Sequence, residues 1–588
     1  MKITLLDRPK LIALSLLAFS IGSNAFAQPD LSAVSSQEAS EVIATLRFPP
    51  PATFTADVMA AARIIQPGPQ TEMLPMMFLG ALGYPEFPGI SGEKNLSLFI
   101  LDDGQSASKP GDALVMLIKM TADSPVRPAL AGYGFQFKDF SDDWVLLARS
   151  ADVLARFDTI DRMIEQAQAE KVFYVELHID LNSGKIEDWM VKLKDALLMS
   201  PVFMDAEDED SAEKSALVEG SVQFVKACLV NFDWVKFGMD IDGEAIGYNL
   251  LAQAIAGTPE AKLFASNAGG SVPVARWLPA DATVIYSANS DVAAWLDYWK
   301  VLEQRLRAHV EHPAVTSYLA MMDESLKFMD SASGSFAARL NYTDLANGVI
   351  DFEYIMEGDL QEAEILALYQ TLYEQYIPEL IEGFADLPYG ELFNYTVNAN
   401  YAVHRQVNIH QIAFAGNTEQ AAPDAVETVA SFNFNTYFSI VDGNLLLASS
   451  EQSLTALIDG VLAGSPVPEN IGEAITLQPG QAIVSHLNLV EYMAELFGPI
   501  AGPFLDTPGV ADELERLREL KLPPMVSNFS HADAQMSMGM SVPVASIAVV
   551  VDFFKKANEI SKAAESASEA ETEAETEAEG EVYNDPFQ

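Results

Sequence analysis

Cysteine is almost missing from this sequence: among 588 residues only Cys228 carries a thiol. A chain with one cysteine closes no internal disulfide even in an oxidising compartment, so its stability must come from core burial. Cys228 lies in the apolar phrase FVKACLVNF, a setting for a buried inert thiol and not for a nucleophile. Basic residues are also scarce, 34 against 84 acidic ones, giving a formal net charge of −50. That charge disfavours nucleic acid and anionic membrane surfaces, because both repel it. It suits solubility, condensed cations or a salty habitat without selecting among them. The body itself is acidic, since the last 26 residues hold only nine of the acidic side chains. Long apolar runs are lacking too. LIALSLLAFSI (11–21) is eleven residues long, where a membrane-crossing helix needs about twenty. VPVASIAVVVDFF (542–554) contains a proline and an aspartate and runs into Lys555 and Lys556.

What is present begins with an export signal. Lys2, Arg8 and Lys10 precede the apolar run, and NAFA (24–27) has the A-x-A form of a cleavage site. A signal peptide is expected over 1–27, cleaved after Ala27, with no lipoprotein cysteine behind it. The mature protein is expected in the periplasm or medium, with no transmembrane segment left. Its length suggests two domains, and an apolar content of 49% is enough to fill their cores.

SDDWVLLARS (141–150) is echoed by VDGNLLLASS (441–450), and over 141–158 against 441–458 six residues are identical. Both read as a turn at Asp142 or Asp442, an apolar strand, an N-cap at Ser150 or Ser450, and an amphipathic helix. VFYVELHIDL (172–181) resembles AIVSHLNL (482–489), aligning His178 with His486. VKFGMDI (235–241) resembles MSMGMSV (536–542), aligning Gly238 with Gly539. Three collinear echoes predict a tandem duplication. The expected fold is α+β: a module of mostly antiparallel sheet with helices packed on one face, used twice. Copy one is placed at 46–270 and copy two at 277–556, joined through the Gly/Ser/Pro-rich seam at 265–282. Copy two carries about seventy extra residues by this alignment, assigned to longer helices in 293–330 and 359–385 and a hairpin at 393–415. The like-charged run 563–588 is expected to be a disordered tail.

LPADA (278–282), the strand ending near Asn289, the helix start DVAAWL and the late phrase DGNLLLASSEQSLTALIDG resemble a group of exported bacterial proteins. Those proteins carry a domain of unknown function with a leucine-proline-alanine-aspartate start, and the likeness covers about 277–465. It implies an exported α+β domain and supplies no activity and no catalytic residues.

Each candidate for chemistry in the sequence has a competing structural role. Met536, Met538 and Met540 share a strand face and could hold Cu(I), but their alignment with Val235, Phe237 and Met239 asks only for apolar side chains. His309 and His312 stand i, i+3 near a helix end, where a solvated, dipole-matched role is favoured over zinc. His404 and His410 lie too far apart on a strand for one ion, and His178 and His486 read as half-buried strand residues. DIDGEAIGY (240–248) lacks the first and last EF-hand ligands and reads as a turn at Asp242-Gly243, and DAEDED (205–210) reads as a solvated loop. SASK (106–109) and SAEK (211–214) are S-x-x-K matches assigned to polar loops without a K-T-G partner, and GYGFQF (132–137) lacks a third glycine. No catalytic residue, cofactor or metal site is therefore assigned. The expected function is an exported non-catalytic binding or scaffold protein with an envelope protein or small ligand as partner. The alternatives are an envelope hydrolase with a site between the modules and a carrier of an apolar or lipid ligand.

Overall fold

The computed structural model describes residues 42–65, 90–91, 93–101, 114–169, 171–181, 211–241, 244–266, 268–344, 349–382, 393–416, 433–500 and 509–581. The signal segment, the motif at 106–109, the 205–210 loop and the 242–243 turn lie outside them. Half one contains β1 (Val42–Phe48), α1 (Pro51–Ile65), β2 (Leu96–Leu101), β3 (Leu114–Lys119), α2 (Val126–Gly132), β4 (Gln136–Asp139) and β5 (Trp144–Ala148). It continues through α3 (Ala151–Ala155), α4 (Asp161–Gln168), β6 (Val175–Asp180), α5 (Ser211–Leu229), β7 (Phe232–Ile241), β8 (Ala245–Ala254) and α6 (Pro259–Phe264). Half two opens with β9 (Val284–Asn289), α7 (Val292–His309), α8 (Pro313–Leu326), β10 (Ala332–Asp344), β11 (Val349–Gly358), α9 (Glu362–Thr371) and α10 (Ile377–Glu382). Next come β12 (Phe393–His404), β13 (Val407–Gly416), β14 (Asn433–Val441), β15 (Asn444–Ala448), α11 (Glu451–Ala463) and α12 (Ile471–Ala474). The chain closes with β16 (Gln481–Leu487), α13 (Leu489–Ile500), α14 (Val510–Glu519), β17 (Met525–Ala532), β18 (Gln535–Pro543) and α15 (Val544–Glu581).

The fold is α+β, and every strand pairing among the described residues is antiparallel. Half one runs β4-β5-β3-β2-β1-β6-β7-β8 across the sheet. Half two runs β14-β15-β11-β10-β9-β16-β17-β18, with β13 and β12 added outside β14. The two orders are the same, pairing for pairing. One lateral row of opposed residues reads Leu146, Leu117, Ser97, Arg47, Glu176, Gly238, Asn249 in half one. The matching row reads Leu446, Ile355, Ala337, Ser287, Val484, Asn528, Gly539 in half two. The halves join where β8 pairs with β18, and there Asn249 faces Gly539, its own counterpart. A local two-fold axis therefore passes between those two residues.

This register makes His178 and His486 equivalent, as the sequence suggests, and Leu146 and Leu446 hold matching, fully buried positions. It corrects the third echo. Gly238 lies on β7, whose counterpart is β17, whereas Gly539 lies on β18. The phrases matched because both are amphipathic strands with a central glycine, a pattern that does not distinguish neighbouring strands of a hairpin. Half one also starts earlier than expected, at Val42 and not 46, because β1 precedes the prolines. Ile355 stands 238 residues after Leu117, and Ser439 stands 301 after Lys138, so the extra length of half two falls between β11 and β14. Among the described residues it comprises the helices of 362–382, longer than their half-one counterpart α2, and the β12–β13 hairpin, but not the 293–330 helices.

Helices cover both faces of the sheet, not one. On the front face, that of Leu146 and Leu446, α3 and α4 cover half one (Leu154, Met163) and α11 covers half two (Leu454, Ile458). On the back face Val126 of α2 meets Val145 and Leu147, and Ile365 of α9 meets Leu445 and Met356. Burial from both sides explains why WVLLA and NLLLA read as unbroken apolar runs and not as alternations. Ser150 and Ser450 cap α3 and α11, accepting from Val153 N–H (3.4 Å) and Ser453 N–H (3.0 Å). The preceding turns, Asp142-Asp143 and Asp442-Gly443, have positive φ at both positions, the hand that suits a two-residue hairpin.

Helices exchange across the axis. α1 of half one packs on α15 of half two, and α7 of half two packs on α5 and α6 of half one. The buried Glu260 of α6 pairs with Arg305 of α7 and accepts from Asn231 Nδ2 at 2.9 Å. α15 continues to Glu581, so the acidic run is helical that far and not disordered from 563. Alanine and glutamate are strong helix formers, and the helix is anchored by the buried Phe553.

Candidate functional site

Equivalent halves show where chemistry breaks the symmetry. The largest departure lies on the front face of half one, where Arg47, Glu176 and Lys236 replace what are Ser287, Val484 and Val526 in half two. Glu176 is fully buried and pairs with the Arg47 guanidinium, which also donates to the carbonyls of Gln166 and Ala169 at 3.1 Å. Its other oxygen accepts from Val172 N–H at 2.9 Å. Burial pushes the Glu176 carboxyl upward, but Lys236 and Arg47 outweigh it and hold the group below the usual range. Lys236 Nζ lies 3.8 Å from Glu176 and 4.8 Å from the Trp234 ring centre, and burial lowers its pKa. Burial, helped by the nearby cations, lowers His178 to about 4, so this imidazole is neutral near pH 7. Burial and Arg47 lower Lys171 to about 8. Gly238 is needed here because a Cβ would run into the Phe173 ring. Glu176 is held by Arg47, Lys236 and Val172 N–H while Arg47 also ties down two carbonyls, which makes the pair a structural lock.

The second departure lies at the seam. Two residues beyond Arg47, half one continues as Pro49-Pro50-Pro51; two beyond Ser287, half two continues as Asn289-Ser290-Asp291. These residues open α7, where Asp291 caps the helix by accepting from Ala294 N–H at 3.0 Å. Asn289 Nδ2 donates to Gly269 O at 2.8 Å and fastens the linker to the strand end. Gly334, at φ +85, lies so close to the Ser290 carbonyl that no side chain fits there. Asn289, Ser290 and Asp291, with Met329, Asp330 and Ser333, line a cleft of about 490 Å³, with Val292 and Leu296 as its apolar wall.

The remaining sequence candidates are not gathered into one site. The three methionines do share the back face of β18, but Met536 is buried against His531 while Met540 is 37% exposed. Their true counterparts on β8 are Ile246, Tyr248 and Leu250, again without sulfur. Tyr248 (49% exposed) lies opposite Met540, with Phe237 (46%) nearby on β7. His309 is the last residue of α7 and His312 lies beyond its end, so they do not share a helix face. His404 Nε2 meets Asp459 at 2.6 Å, whereas the buried His410 stacks on Phe438 and meets Glu362 at 3.2 Å. Among the described residues no group of three or more possible ligands forms a metal site. Cys228 lies beside Arg305, and burial pushes its thiol up. Ser211–Lys214 opens helix α5, contrary to the expected polar loop. No helix among the described residues is long and apolar enough to cross a membrane. The sequence reading missed the seam cleft. Its signal was the contrast between three prolines and Asn-Ser-Asp, visible only once β1 and β9 are aligned. Searches found no matching family model, curated protein or solved structure for this chain.

Proposed function

We propose that this is an exported, non-catalytic binding protein of the cell envelope, built by tandem duplication of one α+β module, with its ligand site in the seam cleft. The observation that carries the reading is that cleft: linker, β9–α7 turn and the approach to β10 meet there around Asn289, Ser290 and Asp291, where half one has Pro49, Pro50 and Pro51. Its volume falls within the usual range of small-molecule sites, and polar Asn289, Ser290, Asp291, Asp330 and Ser333 face an apolar wall of Val292, Leu296 and Met329. The carboxylates of Asp291 and Asp330 beside Val292, Leu296 and Met329 suit a hydrocarbon body with a cationic head. The net charge of −50 concentrates such ligands around the protein. The likeness of 277–465 to exported bacterial domains agrees with this setting.

Thermal unfolding with hexylamine and hexanoate as probes tests the reading. Hexylamine should raise the melting temperature, since a ligand that binds only the folded state stabilises it. Leu296→Trp, which fills the cleft, should erase that rise. An equal rise with hexanoate, or one unchanged by Leu296→Trp, overturns the assignment.

A further inference from the structure

Among the described residues the sheet has two outer edges, and they are built in opposite ways. Half one ends in β4, four residues long, whose sequence QFKD carries Lys138 and Asp139. Short length and charge are the usual protections of an edge strand against pairing with another chain. Half two ends in β12, twelve residues reading FNYTVNANYAVH, with no Lys, Arg, Asp, Glu or Pro. Among the described residues β12 pairs only with β13. The hairpin that creates this edge belongs to the insertion absent from half one. A register irregularity between Asn398 and Ala402, with Asn400 at φ +52, bends the later part of the strand. The stretch from Phe393 to Asn398 precedes it.

A row of aromatic rings runs along the back face to this stretch. Phe434, Phe414 and Tyr395 are directly opposed across β14, β13 and β12, with ring centres 4.1 and 4.7 Å apart. Tyr395 is the last ring before the open edge. On the other face of the strand Asn394 and Thr396 are exposed.

We propose that β12 pairs antiparallel with β12 of a second copy of this chain, with Tyr395 opposite Tyr395 of the partner subunit. The aromatic row of three then becomes a row of six. Three observations favour a second copy as the occupant. The molecule already joins its halves this way, with equivalent strands β8 and β18 paired about a two-fold axis. An uncharged edge does not repel its own image. A ring at the end of the row meets an identical ring, which needs no other chemistry from the partner. The bodies repel through their net charge of −50, so association strengthens as salt screens it.

In this register Asn394 lies opposite Thr396 of the partner subunit. Sedimentation equilibrium of the full chain should show a monomer–dimer equilibrium that tightens from about 0.05 to about 0.5 M salt as screening increases. Asn394→Lys with Thr396→Lys opposes like charges twice and should weaken the dimer at least tenfold. Asn394→Lys with Thr396→Glu opposes unlike charges and should keep it. A chain that stays monomeric at every salt and concentration overturns the proposal. So does a dimer that survives the double lysine variant, or one lost equally in both variants.

Discussion

Both halves bury an arginine–glutamate pair on the front of the sheet, but on different strands. In half one the pair is Arg47–Glu176, across β1 and β6. In half two it is Arg339–Glu353, across β10 and β11, where two guanidinium nitrogens meet the two carboxylate oxygens at 2.8 and 2.9 Å. The counterparts of Arg339 and Glu353 in half one are Phe99 and Val115, both fully buried. The counterparts of Arg47 and Glu176 in half two are Ser287 and Val484. Each ionic site thus has a working uncharged version in the same molecule. The fold demands burial at these places; charge is added to a position that does not require it.

The comparison can be tested hardest at Glu176. Glu176→Val alone leaves Arg47 and Lys236 buried without a counter-charge and should lower unfolding stability by about 3–5 kcal/mol in denaturant titrations. Adding Arg47→Ser and Lys236→Val completes the set found in half two and should restore most of the loss, because a buried ion pair exchanged for apolar residues is often neutral. A triple variant as unstable as the single would break the equivalence of the two sites.

A smaller effect separates the histidines. Burial holds His178 at about 4, below its unfolded value, so the unfolded chain binds the extra proton first as pH falls. The contribution to stability is complete above about pH 6.5 and is lost on the way down to pH 4. His178→Gln should flatten the stability–pH curve in that window. His486→Gln should act in the same direction, since burial lowers that group as well.

The smallest effect lies at the caps. Ser450→Ala and Ser150→Ala should each cost about 1 kcal/mol in thermal or denaturant unfolding. The loss should be larger at Ser450, whose bond is shorter and whose helix has 13 residues against five.

Much of this was legible because it is written locally. The turn, strand and cap around Leu146 and Leu446 each depend on adjacent residues, so the likeness of the two stretches shows in the bare sequence. The β12–β13 hairpin was visible from its alternation. What escaped depends on pairing between distant segments. The run of prolines at 49–51 hid the equivalence of β1 and β9, and with it the polar seam. Met540 and Met239 looked alike because amphipathic strands look alike; only the register shows that Leu250 is the counterpart of Met540. The salt-bridged lock was invisible for the same reason, since Arg47 and Glu176 are 129 residues apart.

The meeting of Asn249 with Gly539 sets an order of events during synthesis. β8 is complete when Ala254 emerges, yet the strand that closes its margin arrives almost three hundred residues later. Throughout that interval half one presents a bare, adhesive border to every other unfinished chain nearby. A chain cut short anywhere before Gln535 keeps that border for good, so loss of the final strand should show first as aggregation of the finished half.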